Sequence, residues 1–453
     1  LLVAGERLTV EREPMTQLAI IADDLSSATD CGAQVARSGQ PVLVPLRGYK
    51  LPAQASAANV ISVDTDSRSA PGARAYAVVK DAASALAATG WQHFYKSVDS
   101  TLRGNLGAEI AAVLDVVRPD CAIVAPAFPS YGRTTAGGVQ FLRGVPLNET
   151  EFGADPTAPV REANIVRLLS QQSHRKAGHI PLDLLRQGPA QVARYLERLL
   201  SNGIELVVCD VQEQDDLRRV CTHIAASGVR VVWVGSTGLS EFVPLALGWH
   251  QAGPSPVNAR PDPAEPDSRP ALVVAGSASA TTRQQLKHAL TTAGLRLITL
   301  DPLTLISGGA ETDQEIHRSL SAIRAAVREG HDVGLTVLSS RDDIAATQKL
   351  GAELGVAPPQ VARRIAETLA TICQSVTAEG SFSGVVATGG DTAKAICDVM
   401  QVEALEILGE VEAGIPLMRL LGPISLPLVT KAGGFGSLAA IVHSIKRVKQ
   451  YDG

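Results

Sequence analysis

The residues equipped for chemistry gather directly after short apolar runs. The first run ends in Asp23-Asp24-Leu25-Ser26-Ser27-Ala28-Thr29-Asp30. Two adjacent carboxylates there suit hydroxyl recognition, metal binding or base work, unless one of them merely caps a helix. Residues 64–68, Asp-Thr-Asp-Ser-Arg, repeat the arrangement after the apolar run 60–63. Arg68 there could fork onto a substrate carboxylate or join a surface ion pair. The densest polar run is 96–105, with Lys96, Ser97, Val98, Asp99, Ser100, Thr101, Arg103, Gly104 and Asn105, followed by Gly107 and Glu109. A lysine, an aspartate, hydroxyls and an arginine within eight residues match a polyhydroxy anion in charge and hydrogen bonding. Gly104 and Gly107 leave room for it to approach.

Three glycine-rich turns mark the second half: 276–279 (Gly-Ser-Ala-Ser), 388–393 (Thr-Gly-Gly-Asp-Thr-Ala) and 431–437 (Lys-Ala-Gly-Gly-Phe-Gly-Ser). Backbone N–H groups at a glycine-lined helix start make an anion site. One such turn is weak evidence, because tight turns use glycine for steric reasons alone. Three together, one with Asp391 and one with Lys431, read as a polyphosphate cradle. Its residues are Ser277, Ser279, Gly389, Gly390, Asp391, Thr392, Lys431, Gly433, Gly434 and Gly436. The spacing matches neither G-x-x-x-x-G-K-[ST] nor G-x-G-x-x-G, so the expected ligand is a nucleotide bound without a P-loop.

Other templates fail. Gly235-Ser236-Thr237-Gly238 is not a hydrolase elbow. The nine histidines form no close ligand pair, and no metal ligands are assigned. Asp342 and Asp343 beside Arg341 read as a solvated face, and residues 125–129 with Arg133 and Thr134 as a fixed turn that gives shape rather than chemistry.

The elements that must position these residues are legible as apolar runs alternating with amphipathic stretches. Runs at 18–22, 60–63, 122–125, 206–209 and 231–234, then 272–275, 297–300, 333–338 and 385–387, predict strands covered on both faces. The expected class is α/β, with two domains that each hold a mainly parallel sheet flanked by helices. Ligands of such sheets bind beyond the carboxyl ends of the strands. Prolines at 254, 256, 261, 263, 266 and 270 predict a linker over 254–270. It separates a unit at 15–253 from one at 271–453. Residues 139–142 and 145–148 flank Arg143-Gly144 as a hairpin inside an irregular excursion suited to a lid.

The 453 residues, 45% hydrophobic and 19% charged, fill two ordinary domains. A net charge of −5 and 4% aromatic residues exclude a broad basic or stacking surface for nucleic acid. Six scattered cysteines without C-x-x-C read as reduced thiols. With no 18-residue apolar run, a cytoplasmic protein without a membrane partner is expected. The first 14 residues precede Met15 and are left outside the fold. A homo-oligomer is compatible with the sequence.

Taken together, the motifs resemble the four-carbon acid sugar kinase family, long known as a domain of unknown function. The segments are IADDLSSATD (21–30), TDSR (65–68), KSVDSTLRGNLGAEI (96–110), GSASATTRQQL (276–286), TGGDTAKAI (388–396), GIP (414–416) and KAGGFG (431–436). They run in order along nearly the whole chain from Met15. The resemblance implies a sugar-acid-binding domain followed by a nucleotide-binding domain, and ATP-dependent phosphorylation of the 4-hydroxyl of D-threonate, D-erythronate or a 3-oxo-tetronate. By motif, Asp24, Arg68 and residues 96–99 would contact the acid sugar, and the three glycine turns ATP. Ser26-Ser27 departs from the Thr-Gly pair usual in the family, which bears on substrate identity rather than on the reaction.

The mechanism expected is positioning and charge stabilisation. Arg68, Lys96 and Arg103 would hold the substrate, and Asp24 or Asp99 would bind hydroxyls, one of them taking the proton. Asp391 and Lys431 would meet phosphates bridged by Mg²⁺, and the domains would close about the proline-rich hinge. The rival readings are a nucleotide-dependent sugar-acid dehydrogenase or decarboxylase, which lacks a dinucleotide fingerprint, and a sugar-acid sensor without turnover.

Overall fold

The computed structural model describes residues 16–49, 58–154, 159–249, 267–276, 279–337 and 340–451. The first half carries β1 (Leu18–Ala22), β2 (Val42–Pro45), β3 (Val60–Asp64), β4 (His93–Ser97) and β5 (Cys121–Ala125). It continues with β6 (Arg133–Ala136), β7 (Val139–Leu142), β8 (Val145–Pro146), β9 (Ala177–Ile180), β10 (Leu206–Cys209) and β11 (Val231–Gly235). The second half carries β12 (Ala271–Ala275), β13 (Arg296–Leu300), β14 (Val333–Val337) and β15 (Gly384–Thr388). It ends with β16 (Ala404–Glu412), β17 (Ile415–Leu421) and β18 (Pro427–Lys431). Each predicted apolar run lies on one of these strands, the run 333–338 as far as Val337, since residue 338 is outside the described residues. β1, β5, β12, β14 and β15 are buried along their whole length, because helices cover both faces of the sheet.

Both halves are mainly parallel α/β units, but their sheets are not separate. Fifteen strands form one sheet in the order β13-β14-β12-β15-β18-β17-β16-β2-β3-β1-β4-β11-β5-β10-β9. The join is antiparallel, with Ala404, Leu405 and Glu406 of β16 opposite Pro45, Val44 and Leu43 of β2. Pairing these strands removes two open edges, each a row of unpaired backbone groups. The core follows the join, since Val42 and Val44 belong to the same buried cluster as Leu405, Ile407 and Met418. The parallel strands of the second half therefore run opposite in sense to those of the first, counted along the sheet. Neither β2 nor the β16-β17 hairpin was expected from the sequence. The proline-rich stretch lies outside the described residues up to Pro266, and so does Ser277.

Chain order reverses at two places. β3 and β4 flank β1 on opposite sides, and β14 and β15 flank β12 in the same way. Crevices open at the carboxyl ends of strands where order reverses, and the candidate motifs emerge there. The predicted hairpin is present but shorter in its second arm, since residues 147–149 turn into a 3-10 helix. It joins β6 in a three-stranded sheet. That sheet leans on the 96–105 loop, where the Gln140 side chain donates to the Ser100 carbonyl at 2.9 Å. Asp343 is not merely solvated: it closes a capping box with Ser340 at the start of the helix Arg341–Glu353.

Candidate functional site

At the carboxyl end of β1, Asp24 caps the helix Leu25–Ala36 by accepting from the Ser27 backbone N–H at 2.6 Å. Arg68, after β3, grips both aspartates. Its Nε and Nη2 fork onto Asp23 at 2.8 and 2.9 Å, Nη1 reaches Asp24, and Nη2 also donates to Ser27 Oγ at 2.9 Å. The fork expected for a substrate is thus already filled by the protein's own carboxylates. Burial pushes the Asp24 carboxyl above its ordinary pKa, with Arg68 pulling the other way.

Lys96 is wholly buried, with Nζ 2.7 Å from Glu109 Oε2 and donating to the Ser97 carbonyl at 2.6 Å. Ser67 Oγ donates to the other Glu109 oxygen at 2.8 Å. Ser97 and Val98 are interior too: Ser97 Oγ lies 3.3 Å from Cys31 Sγ, and the Val98 N–H donates to the Gly235 carbonyl at 2.9 Å. The side chains of Lys96, Ser97 and Val98 thus lie inside, beneath the loop that follows β4. Lys96 and Ser97 end β4 and Val98 follows it, and a charge buried there needs the partner it has.

The next residues are tied to one another by charge and hydrogen bonds. Asp99 accepts from Thr101 Oγ1 at 2.6 Å and from Arg103 Nε at 2.5 Å. Burial works to raise the Asp99 pKa, yet Arg68 and Arg103 outweigh it and hold the carboxyl below the usual range. The Arg103 guanidinium sits 5.4 Å from the centre of the Phe152 ring.

The second cluster gathers at the ends of β12, β15 and β18. Gly389, at φ +99°, turns β15 into the helix Gly390–Val399, a backbone conformation that favours glycine. Gly390 and Asp391 are exposed at that helix start and Thr392 is buried. A Cβ added at Gly276 would lie 2.3 Å from Thr392 Oγ1, so the turn after β12 touches that helix start. Lys431 is buried, and its Nζ donates to the carbonyls of Ala432, Gly433 and Phe435 at 3.0–3.3 Å. No carboxylate pairs with it among the described residues. Burial pulls its pKa down to about 8, opposed by the charge of Glu412.

The loop that carries the glycines is stitched to the helix Ala280–Thr292. Ser279 Oγ and Thr282 Oγ1 donate to the Gly433 carbonyl at 2.8 and 3.0 Å. Gln285 Nε2 donates to the Ser437 carbonyl at 2.7 Å. Thr282 and Gln285 were not singled out in the sequence; the available signal was a pair of polar residues three apart on the helix's buried face. Gly434 and Gly436 form the exposed rim. A helix start with accessible N–H groups beside an ammonium that lacks a counter-charge fits a polyphosphate. Next to it lies a cleft lined by Pro302, Ile344, Val361 and Ile365, continuous with Gly276, Asp391 and Thr392. No local pattern announces this cleft, because its walls come from separate helices. No cluster of three or more His, Cys, Asp or Glu able to hold a metal occurs among the described residues. Asp391 is a single carboxylate open to a cation that arrives with phosphates, the usual way Mg²⁺ is held.

The two clusters share a wall. A Cβ built at Gly390 would lie 3.6 Å from Ser26 Oγ. One cavity is lined by Ser26, Thr29 and Asp30 on one side and by Gly389, Gly390 and Lys431 on the other. Polar contacts fasten the seam. Lys394 Nζ lies 3.0 Å from Asp66, the Gln34 amide donates to Glu410 at 2.8 Å, and the Tyr131 hydroxyl donates to the Ala413 carbonyl at 3.1 Å. Asp30 stands on the helix Leu25–Ala36. Burial pushes its carboxyl well above the ordinary range, and the charges of Glu410 and Asp24 add to this.

Known proteins share this plan. A family model described as a sugar-binding N-terminal domain matches residues 18–243, and one described as a nucleotide-binding C-terminal domain matches residues 272–441. A D-threonate kinase of Cupriavidus necator is 34% identical over 435 residues, covering 94% of this chain and 96% of the relative. A D-erythronate kinase of Heliobacterium modesticaldum is 31% identical, covering 93% and 95%. A Haemophilus influenzae protein of known structure superimposes with a TM-score of 0.75 at 21% identity, over 94% of this chain and 98% of that one. At that identity the likeness is one of fold.

Proposed function

The chain belongs to the four-carbon acid sugar kinase family, ATP-dependent phosphotransferases with an alcohol acceptor, and from that premise we propose its particular reaction. The enzyme transfers the γ-phosphoryl group of ATP to the 4-hydroxyl of D-threonate, D-erythronate or a 3-oxo-tetronate. The observation that carries this is the shared wall, where Ser26 of the first half faces Gly390 of the second across one cavity. An acceptor held near Asp24 and phosphates held at the Gly389 turn would meet there, as in-line transfer requires.

In this reading residues 15–253 hold the acid sugar, 271–453 hold the nucleotide, and 254–270 join them. Arg68, Asp99 and Arg103 shape the acceptor site. Asp24 takes the proton of the 4-hydroxyl: its carboxyl is raised by burial, whereas Asp99 is held low by two arginines and is a poor base. Lys431 and the N–H groups at Gly390 to Thr392 would hold the phosphates, and Ser279 keeps the Gly433 turn in place. The neighbouring apolar cleft would take the base of the nucleotide. Mg²⁺, when bound, would neutralise charge on the phosphates, with Asp391 as its protein ligand. A cytoplasmic setting fits the need for ATP, six free cysteines and the lack, among the described residues, of a helix able to cross a membrane.

The test is ADP release over the stereoisomeric tetronates and their 3-oxo forms, followed by phosphorus NMR of the product. The expected result is turnover of at least one of them with phosphate on O4. Release that ignores every tetronate, or phosphate on another oxygen, overturns the assignment.

A further inference from the structure

The acceptor site has cations, but most are already spent. Arg68 uses Nε, Nη1 and Nη2 on Asp23 and Asp24, and Lys96 is sealed against Glu109. Arg133, the first residue of β6, differs. Its Nη1 donates to Ser100 Oγ at 2.8 Å, while its Nε is buried without any hydrogen-bond partner. No carboxylate pairs with it among the described residues. Its charged neighbours are Asp99, Arg103 and Arg143, and Asp99 is committed to Arg103 and Thr101. The Tyr131 ring lies 5.9 Å from the guanidinium. A half-buried cation with an orphaned donor is costly unless a ligand completes it.

We infer that Arg133 binds the carboxylate of the acid sugar and makes the site select an acid over a neutral four-carbon polyol. The inference rests on the kinase reading and adds to it the group that recognises the acid. A guanidinium offers two parallel N–H donors to a carboxylate, and Ser100 orients it. The three-stranded sheet then has a task, because it carries Arg133 to the 96–105 loop.

The experiment compares the affinity of wild type and Arg133→Gln for the preferred tetronate and for the tetritol of the same stereochemistry. Arg133→Gln should weaken the acid about 30-fold or more and the tetritol less than about threefold. ATP affinity should not change. Equal losses for both ligands overturn the inference and leave Arg133 as a residue of shape. Arg133→Lys should recover part of the acid binding, since the charge stays while the fork is lost. If Arg133→Gln does not fold, Ser100→Ala serves: it releases Nη1, and acid affinity should fall while tetritol affinity holds. Unchanged selectivity in that variant also counts against Arg133. Wild-type protein that turns over no tetronate sinks the kinase reading itself, whereas active wild type with an unselective Arg133→Gln sinks only this inference.

Discussion

In the proposed acceptor site Asp99 is the anchor, because Thr101 and Arg103 both lean on it. Asp99→Asn keeps the shape but loses the charge, so kcat/KM for the acid sugar should fall by about 10²-fold. ATP affinity, measured by calorimetry, should stay as in wild type. Lys96 is tested through stability instead. Lys96→Met leaves Glu109 buried and unpaired and should cost about 3–5 kcal/mol in urea unfolding. Pairing it with Glu109→Leu should restore much of the loss, which a ligand-binding lysine would not show. Lys431 gives a pH signature. With a pKa of about 8 in the free protein, it is charged at pH 7 and mostly neutral at pH 9, so ATP should bind about tenfold more weakly at pH 9. Lys431→Arg keeps its charge throughout and should flatten the profile.

At the scale of elements, the strands were readable because those buried on both faces are continuous apolar runs, and LAIIA (18–22) is such a run. The strands that escaped notice are short or amphipathic. β2 has four residues, and β16 mixes Glu406, Glu410 and Glu412 with apolar neighbours and carries two register shifts. The glycine turns were legible as spacing, but which glycines lean on a neighbour was not, since that depends on segments far apart in sequence. Gly276 is the clearest case. Gly276→Ala forces its methyl against Thr392 and should cost about 1–3 kcal/mol, with ATP affinity falling in step because the helix start moves. Thermal unfolding with and without ATP measures both. The acceptor site was legible as a list of polar residues but not as a circuit. Nothing in the string 96–105 says that residues 96–102 are buried and 103–105 are partly open, because that depends on what packs over the end of β4.

For the whole molecule, the β2–β16 pair ties the two halves into one sheet. With a shared sheet and a shared core, the halves should melt together, giving one calorimetric transition. Val44→Pro removes a ladder hydrogen bond and sets a ring in the join, which should lower Tm by several degrees and separate the transition into two. Val44→Thr, which keeps the ladder, should not split it. A split transition in wild type would show that the join contributes nothing to cooperativity.

That same join has a geometric effect. In a flat sheet, its reversed strand sense would send the two sets of carboxyl ends to opposite rims, far apart. Strand direction, however, rotates by about 20–25° at each neighbour, and six steps separate β15 from β1. The accumulated rotation of about 120–150° turns the distant rim back toward the near one, until Gly390 looks at Ser26. A ribbon wound less tightly would carry Gly390 away from Ser26.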